Sequence, residues 1–144
     1  MSDYVRGAAF PRQYPMVVVD VTDGDTVRAF LDRGGDDWWL TKVRLAGIAC
    51  RERAEPGGPE AAAHTRGVVA SMTPPTVASM LDPRWQGTCL AKSWDKYAGR
   101  ILGVVYLRDQ TVDVSTLILR AGFAAAWDGR GAQPKPPWPI ERTP

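Results

Sequence analysis

The segment MVVVDVTDGDTVRAFL, residues 16–31, turns back on itself. Met16 to Val21 is a β-branched run of the kind that packs on a pleated surface. Thr22-Asp23-Gly24-Asp25 supplies turn chemistry, and Thr26 to Leu31 returns as a second strand, so the segment reads as a hairpin. Outward from it, Asp32-Arg33-Gly34-Gly35-Asp36-Asp37 is a second polar turn, and Trp38 to Ile48 reads as a third strand in antiparallel sequence. Pro56-Gly57-Gly58-Pro59 breaks the chain. Pro59 opens a helix that runs through the alanine-rich stretch from Glu60 to Met72 and stops before Pro74-Pro75. Thr88 to Ser93 and Ile101 to Leu107 read as two further strands joined by Trp94 to Arg100. Val112 to Arg120 carries Val114, Leu117 and Ile118 near helical spacing, with Gly122 as its stop. Residues 76–87 read as a strand or a loop.

Five short strands, with a helix after the third and another after the fifth, suit a small closed barrel better than a parallel sheet. The expected class is therefore mainly β (α+β): a five-stranded OB-fold barrel with about two helices. Residues 16–126 form the expected barrel domain, 1–15 an N-terminal segment, and 127–144 a Pro/Trp-rich tail, WDGRGAQPKPPWPIERTP, expected to lie extended with Trp127 or Trp138 packed on the domain. A protein partner docking on this tail is a further alternative.

With 144 residues, 44% hydrophobic and 24% charged, the chain has the make-up of one globular domain able to bury its own core. The net charge of +2 neither demands nor excludes a polyanionic partner. Cys50 and Cys89, the two cysteines, have no CxxC spacing, so they build neither a disulfide framework nor a tetrahedral zinc site. That favours a reducing compartment. No run approaches the roughly 18 apolar residues of a membrane span, and the first residues lack a signal-peptide core. The expectation is a soluble, cytoplasmic protein with no membrane association.

Charged residues gather where strands end: Asp23 and Asp25 at the first turn, Arg44 in the third strand, Glu52 beyond it, Lys96 and Arg100 around the last turn. Two arginines clamp a phosphate through forked, permanently charged donors. A carboxylate orients or activates water, and another holds a hard cation. Together these are ingredients for phosphodiester hydrolysis, although strand-end Arg and Asp residues also serve as ion pairs and turn caps. The bland alternative for Arg44 is an ion pair with Glu52.

Five motifs narrow the choice: Asp23-Gly24-Asp25-Thr26; Arg44-Leu45-Ala46-Gly47-Ile48 with Glu52; Gly58-Pro59-Glu60-Ala61; Asp95-Lys96-Tyr97-Ala98-Gly99-Arg100; and Leu117 through Ala121-Gly122-Phe123-Ala124. In order and interval they resemble the staphylococcal (micrococcal) nuclease family over residues 16–126. The resemblance implies an OB-fold barrel and calcium-dependent cleavage of single-stranded DNA and RNA. By position it implies Asp25 as a calcium-binding carboxylate, with the backbone carbonyl of Cys50 beside it. It implies Arg44 and Arg100 as the phosphate-binding pair, Glu52 as the residue that activates or orients water, and Lys96 and Tyr97 near a bound nucleotide phosphate. One extra residue between Tyr97 and Arg100 makes that loop slightly larger than the family's.

The chain departs from the family at Ala49, where a second metal-binding aspartate is usual. Calcium wants about six to eight oxygens, and alanine offers none from its side chain. The Cys50 thiol is too soft to replace it. Three alternatives follow: weak calcium binding without substrate, a more hydrated magnesium or manganese ion, or no metal. Function divides in the same way, into a nuclease and a module that binds nucleic acid or a nucleotide without cutting it. Trp94, beside the Lys96-Tyr97 turn, is a candidate base-stacking residue. His64 stands alone and reads as structural or exposed.

Overall fold

The computed structural model describes residues 10–95 and 99–140. Strand β1 (Arg12–Asp23) pairs antiparallel with β2 (Thr26–Asp32), which pairs antiparallel with β3 (Trp38–Leu45). After β4 (Ile48–Cys50), α1 (Gly58–Val68) and three short 3-10 turns, β5 (Gly87–Trp94) and β6 (Arg100–Tyr106) form a second hairpin. The chain continues through α2 (Val114–Arg120) and β7 (Ala124–Ala126). Strand β3 runs parallel to β6 and β5 pairs with β1, which closes a five-stranded barrel in the order β1-β2-β3-β6-β5. A mainly β closed barrel with two helices is the architecture expected, and it is consistent with an OB-like barrel.

Alternation fills the interior. Val27, Ala29 and Leu31 of β2, Val43 and Leu45 of β3, Cys89 and Ala91 of β5, and Ile101 and Val105 of β6 all point inward and are buried. In β1 the register shifts between Val18 and Asp20, so Val17 and Val18 are both buried while Val19 is exposed. Such a bulge bends a long strand far enough to pair with both neighbours of a closed barrel. Ala61 and Ala62 of α1, with Val114 and Ile118 of α2, cover the core from outside the strands.

The structure differs from the sequence reading in several places. Strand β1 begins at Arg12, inside the expected N-terminal segment, because Arg12–Met16 pairs with β5 to close the barrel. The third strand does not continue to Ile48: it ends at Leu45, the chain turns at Gly47 (φ 85°), and Ile48–Cys50 pairs with Ala124–Ala126 in a separate two-stranded sheet. The first helix begins earlier, at Gly58, and gives way at Val68 to a 3-10 turn over Ala70–Met72. The second starts at Val114 because Asp113 caps it, accepting the Thr116 amide at 2.7 Å. Residues 76–87 hold two 3-10 turns, Ala78–Leu81 and Pro83–Trp85, the latter capped by Asp82. Among the described residues no helix is long and apolar enough to cross a membrane.

From Trp127 to Ile140 there is no helix or strand, yet the segment is seated on the domain. The Trp127 amide donates to the Gly47 carbonyl at 2.9 Å. Arg51 Nε donates to the carbonyl of the buried Pro136 at 2.9 Å, Lys135 pairs with Glu55, and the Trp138 ring lies against Gly57.

Candidate functional site

The β1–β2 turn is held from below by α1. Thr65 Oγ1 donates to the Gly24 carbonyl at 2.6 Å, and a side chain at Gly24 would meet Ala61 and Cys50 at 3.0 Å. This close approach brings Asp25 against β4. Asp25 Oδ1 accepts from the Thr26 hydroxyl at 3.1 Å, and Oδ2 accepts from the Cys50 amide at 2.9 Å. Both Asp25 and Arg44 are buried, 6% and 5% exposed, and their Oδ2 and Nη2 atoms are 3.4 Å apart. A buried charge pair needs its remaining donors satisfied. Arg44 meets this need through Nη1 to the Leu45 carbonyl and Nη2 to the Ile48 carbonyl, each at 2.9 Å, with its guanidinium 5.6 Å from the Trp127 ring centre. Arg44 therefore pairs with Asp25; among the described residues Glu52 is not its ion-pair partner.

Glu52 is exposed on the loop after β4, and that loop is tightly wound. The Glu52 amide donates to Glu55 Oε1 at 2.8 Å, the Glu55 amide to the Glu52 carbonyl at 2.9 Å, and the Gly58 amide to the Glu55 carbonyl at 2.9 Å. Gly58 packs so closely that a Cβ there would sit 1.7 Å from the Glu52 carbonyl oxygen. The hydrogen bond from Lys135, followed by that from the Glu52 amide, holds the Glu55 carboxyl below its usual pKa. Arg100 opens β6, half-buried, with its Nε on Asp95, and the register sets it beside Lys42 of β3.

These elements meet around a cavity of about 180 Å³ lined by Asp23, Asp25, Arg44, Cys50, Glu52 and Arg100, together with Gln133 of the C-terminal segment. Six residues singled out in the sequence thus share one cavity: Asp23, Asp25, Arg44, Cys50, Glu52 and Arg100. Lys96 and Tyr97 lie outside the described residues. A second cavity, of about 210 Å³, shares Arg44 and is walled by Trp94, Trp127, Leu102, Asp95 and Asp128. Trp94 is 57% exposed and meets Phe10 and Trp39 edge-on, with ring centres 5.4 and 5.6 Å away.

Ala49 is fully buried opposite Ala125 and does not line the first cavity; its neighbour Cys50 does. Burial pushes the Cys50 thiol up to about 12, helped by the nearby Asp25 carboxylate, so the folded protein holds it as a neutral thiol at neutral pH. His64 stacks on Phe123 at 4.4 Å, and burial lowers its pKa, which fits a packing role.

Three carboxylates (Asp23, Asp25, Glu52) face two guanidiniums (Arg44, Arg100) across the cavity, leaving a negative excess before any phosphate enters. A bound divalent cation would correct this, but the Asp25 oxygens already accept two hydrogen bonds and lie 3.4 Å from Arg44, and one Asp23 oxygen accepts the Arg53 amide at 3.1 Å. Among the described residues no group of three His, Cys, Asp or Glu side chains is disposed to hold a metal. A divalent ion held here would therefore keep most of its water, since few protein oxygens are left to bind it.

Two residues of the site carried no assigned role in the sequence reading. Asp95, the partner of Arg100, had a signal in its position five residues before that arginine. Gln133 had none: it lies in a proline-rich stretch without periodicity. No protein-family model matches the chain, and no curated protein matches it.

Proposed function

We propose that this chain is a phosphodiester hydrolase of the staphylococcal-nuclease type, an endonuclease acting on single-stranded DNA or RNA. The observation that carries the reading is the convergence of Arg44, Arg100 and Glu52 on one cavity from three separate parts of the chain. Arg44, locked by two carbonyls, is preorganised to meet charge that develops on phosphoryl oxygens, and Arg100 adds a second fork. Glu52, on a rigid exposed loop, accepts a proton from the attacking water as its oxygen bonds to phosphorus and the ester P–O bond breaks. When bound, a divalent cation (calcium by the family resemblance, or magnesium or manganese) would supply charge neutralisation beside the phosphate, with Asp25 as its protein carboxylate, the Cys50 carbonyl as a further oxygen and Glu52 reaching it through water. The indole-walled cavity beside Arg44 offers the neighbouring base an apolar stacking surface.

The test is degradation of single-stranded DNA and RNA in chelator and in calcium, magnesium or manganese, comparing the native chain with Glu52→Ala and Arg100→Ala. Loss of at least about a hundredfold in both variants is expected. Activity that survives both substitutions overturns the mechanism.

A second reading, a module that grips nucleic acid or a nucleotide without cutting it, is favoured by one observation: the buried Ala49 supplies no second carboxylate. It predicts salt-sensitive binding with no cleavage under any of the three metals.

A further inference from the structure

The C-terminal segment forms one wall of the catalytic cavity, and Gln133 is the side chain it delivers there. The segment is pinned on both sides of that residue. Upstream, Trp127 lies over Arg44, its amide is bonded to Gly47, and its indole N–H donates to the Arg130 carbonyl at 3.0 Å. Downstream, Lys135 holds Glu55 and the Pro136 carbonyl accepts from Arg51, both contacts falling on the loop that carries Glu52. Pro134, Pro136 and Pro137 restrict the backbone just after Gln133, which presents its side chain as an exposed group at the rim of the cavity. Among the described residues its carboxamide has no hydrogen-bond partner, although every carboxylate and guanidinium around it except that of Glu52 has one. A carboxamide both donates and accepts, and it adds no negative charge to a cavity already in negative excess.

We infer that Gln133 is a further substrate-binding residue, its amide N–H₂ donating to a phosphoryl oxygen held between Arg44 and Arg100. This rests on the phosphodiesterase reading. It makes the C-terminal segment part of the site rather than an appendage.

The experiment is titration of the isotopically labelled full chain with inorganic phosphate, in magnesium and in chelator, followed by NMR of backbone and side-chain amides, with the Gln133 pair identified by its absence in Gln133→Ala. The Gln133 side-chain amide should shift with the same apparent Kd as the backbone amides of Arg44 and Arg100. Gln133→Ala should weaken phosphate about tenfold with no change in Tm, because its side chain holds nothing in the free protein. Gln133→Glu should weaken it further, since a carboxylate repels the anion. Shifts at Arg44 and Arg100 with an unmoved Gln133 amide and unchanged affinity in both variants overturn this inference and leave the phosphodiesterase reading standing. A loss of affinity matched by a fall in Tm also overturns it, by assigning Gln133 a structural role. No shift at any of the three residues overturns both.

Discussion

Arg44 serves the fold through contacts that the proposed chemistry would also use. It ties the end of β3 to the start of β4 through the Leu45 and Ile48 carbonyls, and it neutralises Asp25 in the same enclosed space. A lysine would retain the charge but not the planar fork. Arg44→Lys is therefore expected to lower stability by about 2 kcal/mol in urea denaturation, because a buried carbonyl loses its partner. Cleavage should fall by about a hundredfold or more in the same variant. Equal stability and turnover in the variant would mean that the fork is dispensable. Asp25 and Arg44 could be singled out in the sequence because charges bracketing apolar strands are unusual; their mutual contact could not, since Asp25 and Glu52 are both carboxylates near the same strand.

At the level of elements, the site depends on how α1 enters. Its first residue, Gly58, abuts the carbonyl of Glu52, and the helix further on supports the Gly24 turn through Thr65. Gly58→Ala places a methyl group where backbone already sits, so the 52–58 loop must move. The expected cost is about 2 kcal/mol of stability, and the proposed water-handling role of Glu52 predicts a fall in kcat larger than any change in KM. A change confined to KM would argue that Glu52 binds the substrate instead. The PGGP stretch announced a helix start, but only the packed structure shows why the second glycine of that pair is needed. The break of the third strand at Gly47 was hidden for a related reason. Ile48–Cys50 is apolar enough to extend a strand, and what redirects it is pairing with Ala124–Ala126, far along the chain.

For the molecule as a whole, both cysteines lie inside the packed structure, Cys50 beneath the cavity and Cys89 within the barrel. Burial raises each thiol from the ordinary 9.0 to about 12. Because the folded pKa is the higher one, this contribution to stability is complete below pH 9 and lost as pH rises from there toward 12. Denaturation midpoints measured across that range should fall, and fall less steeply in a Cys50→Ala/Cys89→Ala double variant. Native thiols should also resist alkylating reagents at pH 8 and react on unfolding. Rapid alkylation of the folded protein would contradict their enclosure.

Hydrophobic alternation, β-branched runs and Gly/Pro punctuation are local properties, and they were enough to indicate a small mainly β barrel, its hairpins and its two helices, because side-chain period and turn chemistry depend on neighbours in sequence. The same local information marked the charged strand ends as a site. The Asp25–Arg44 pair follows from the register of the β2–β3 hairpin, which sets Thr26 opposite Arg44, but two things needed the tertiary structure: the parallel β3–β6 pairing that sets Arg100 beside Lys42, and the return of the C-terminal segment that carries Gln133 into the cavity. Each joins residues separated by long stretches of chain, and such contacts arise from the collective burial of a core rather than from the preferences of any one segment.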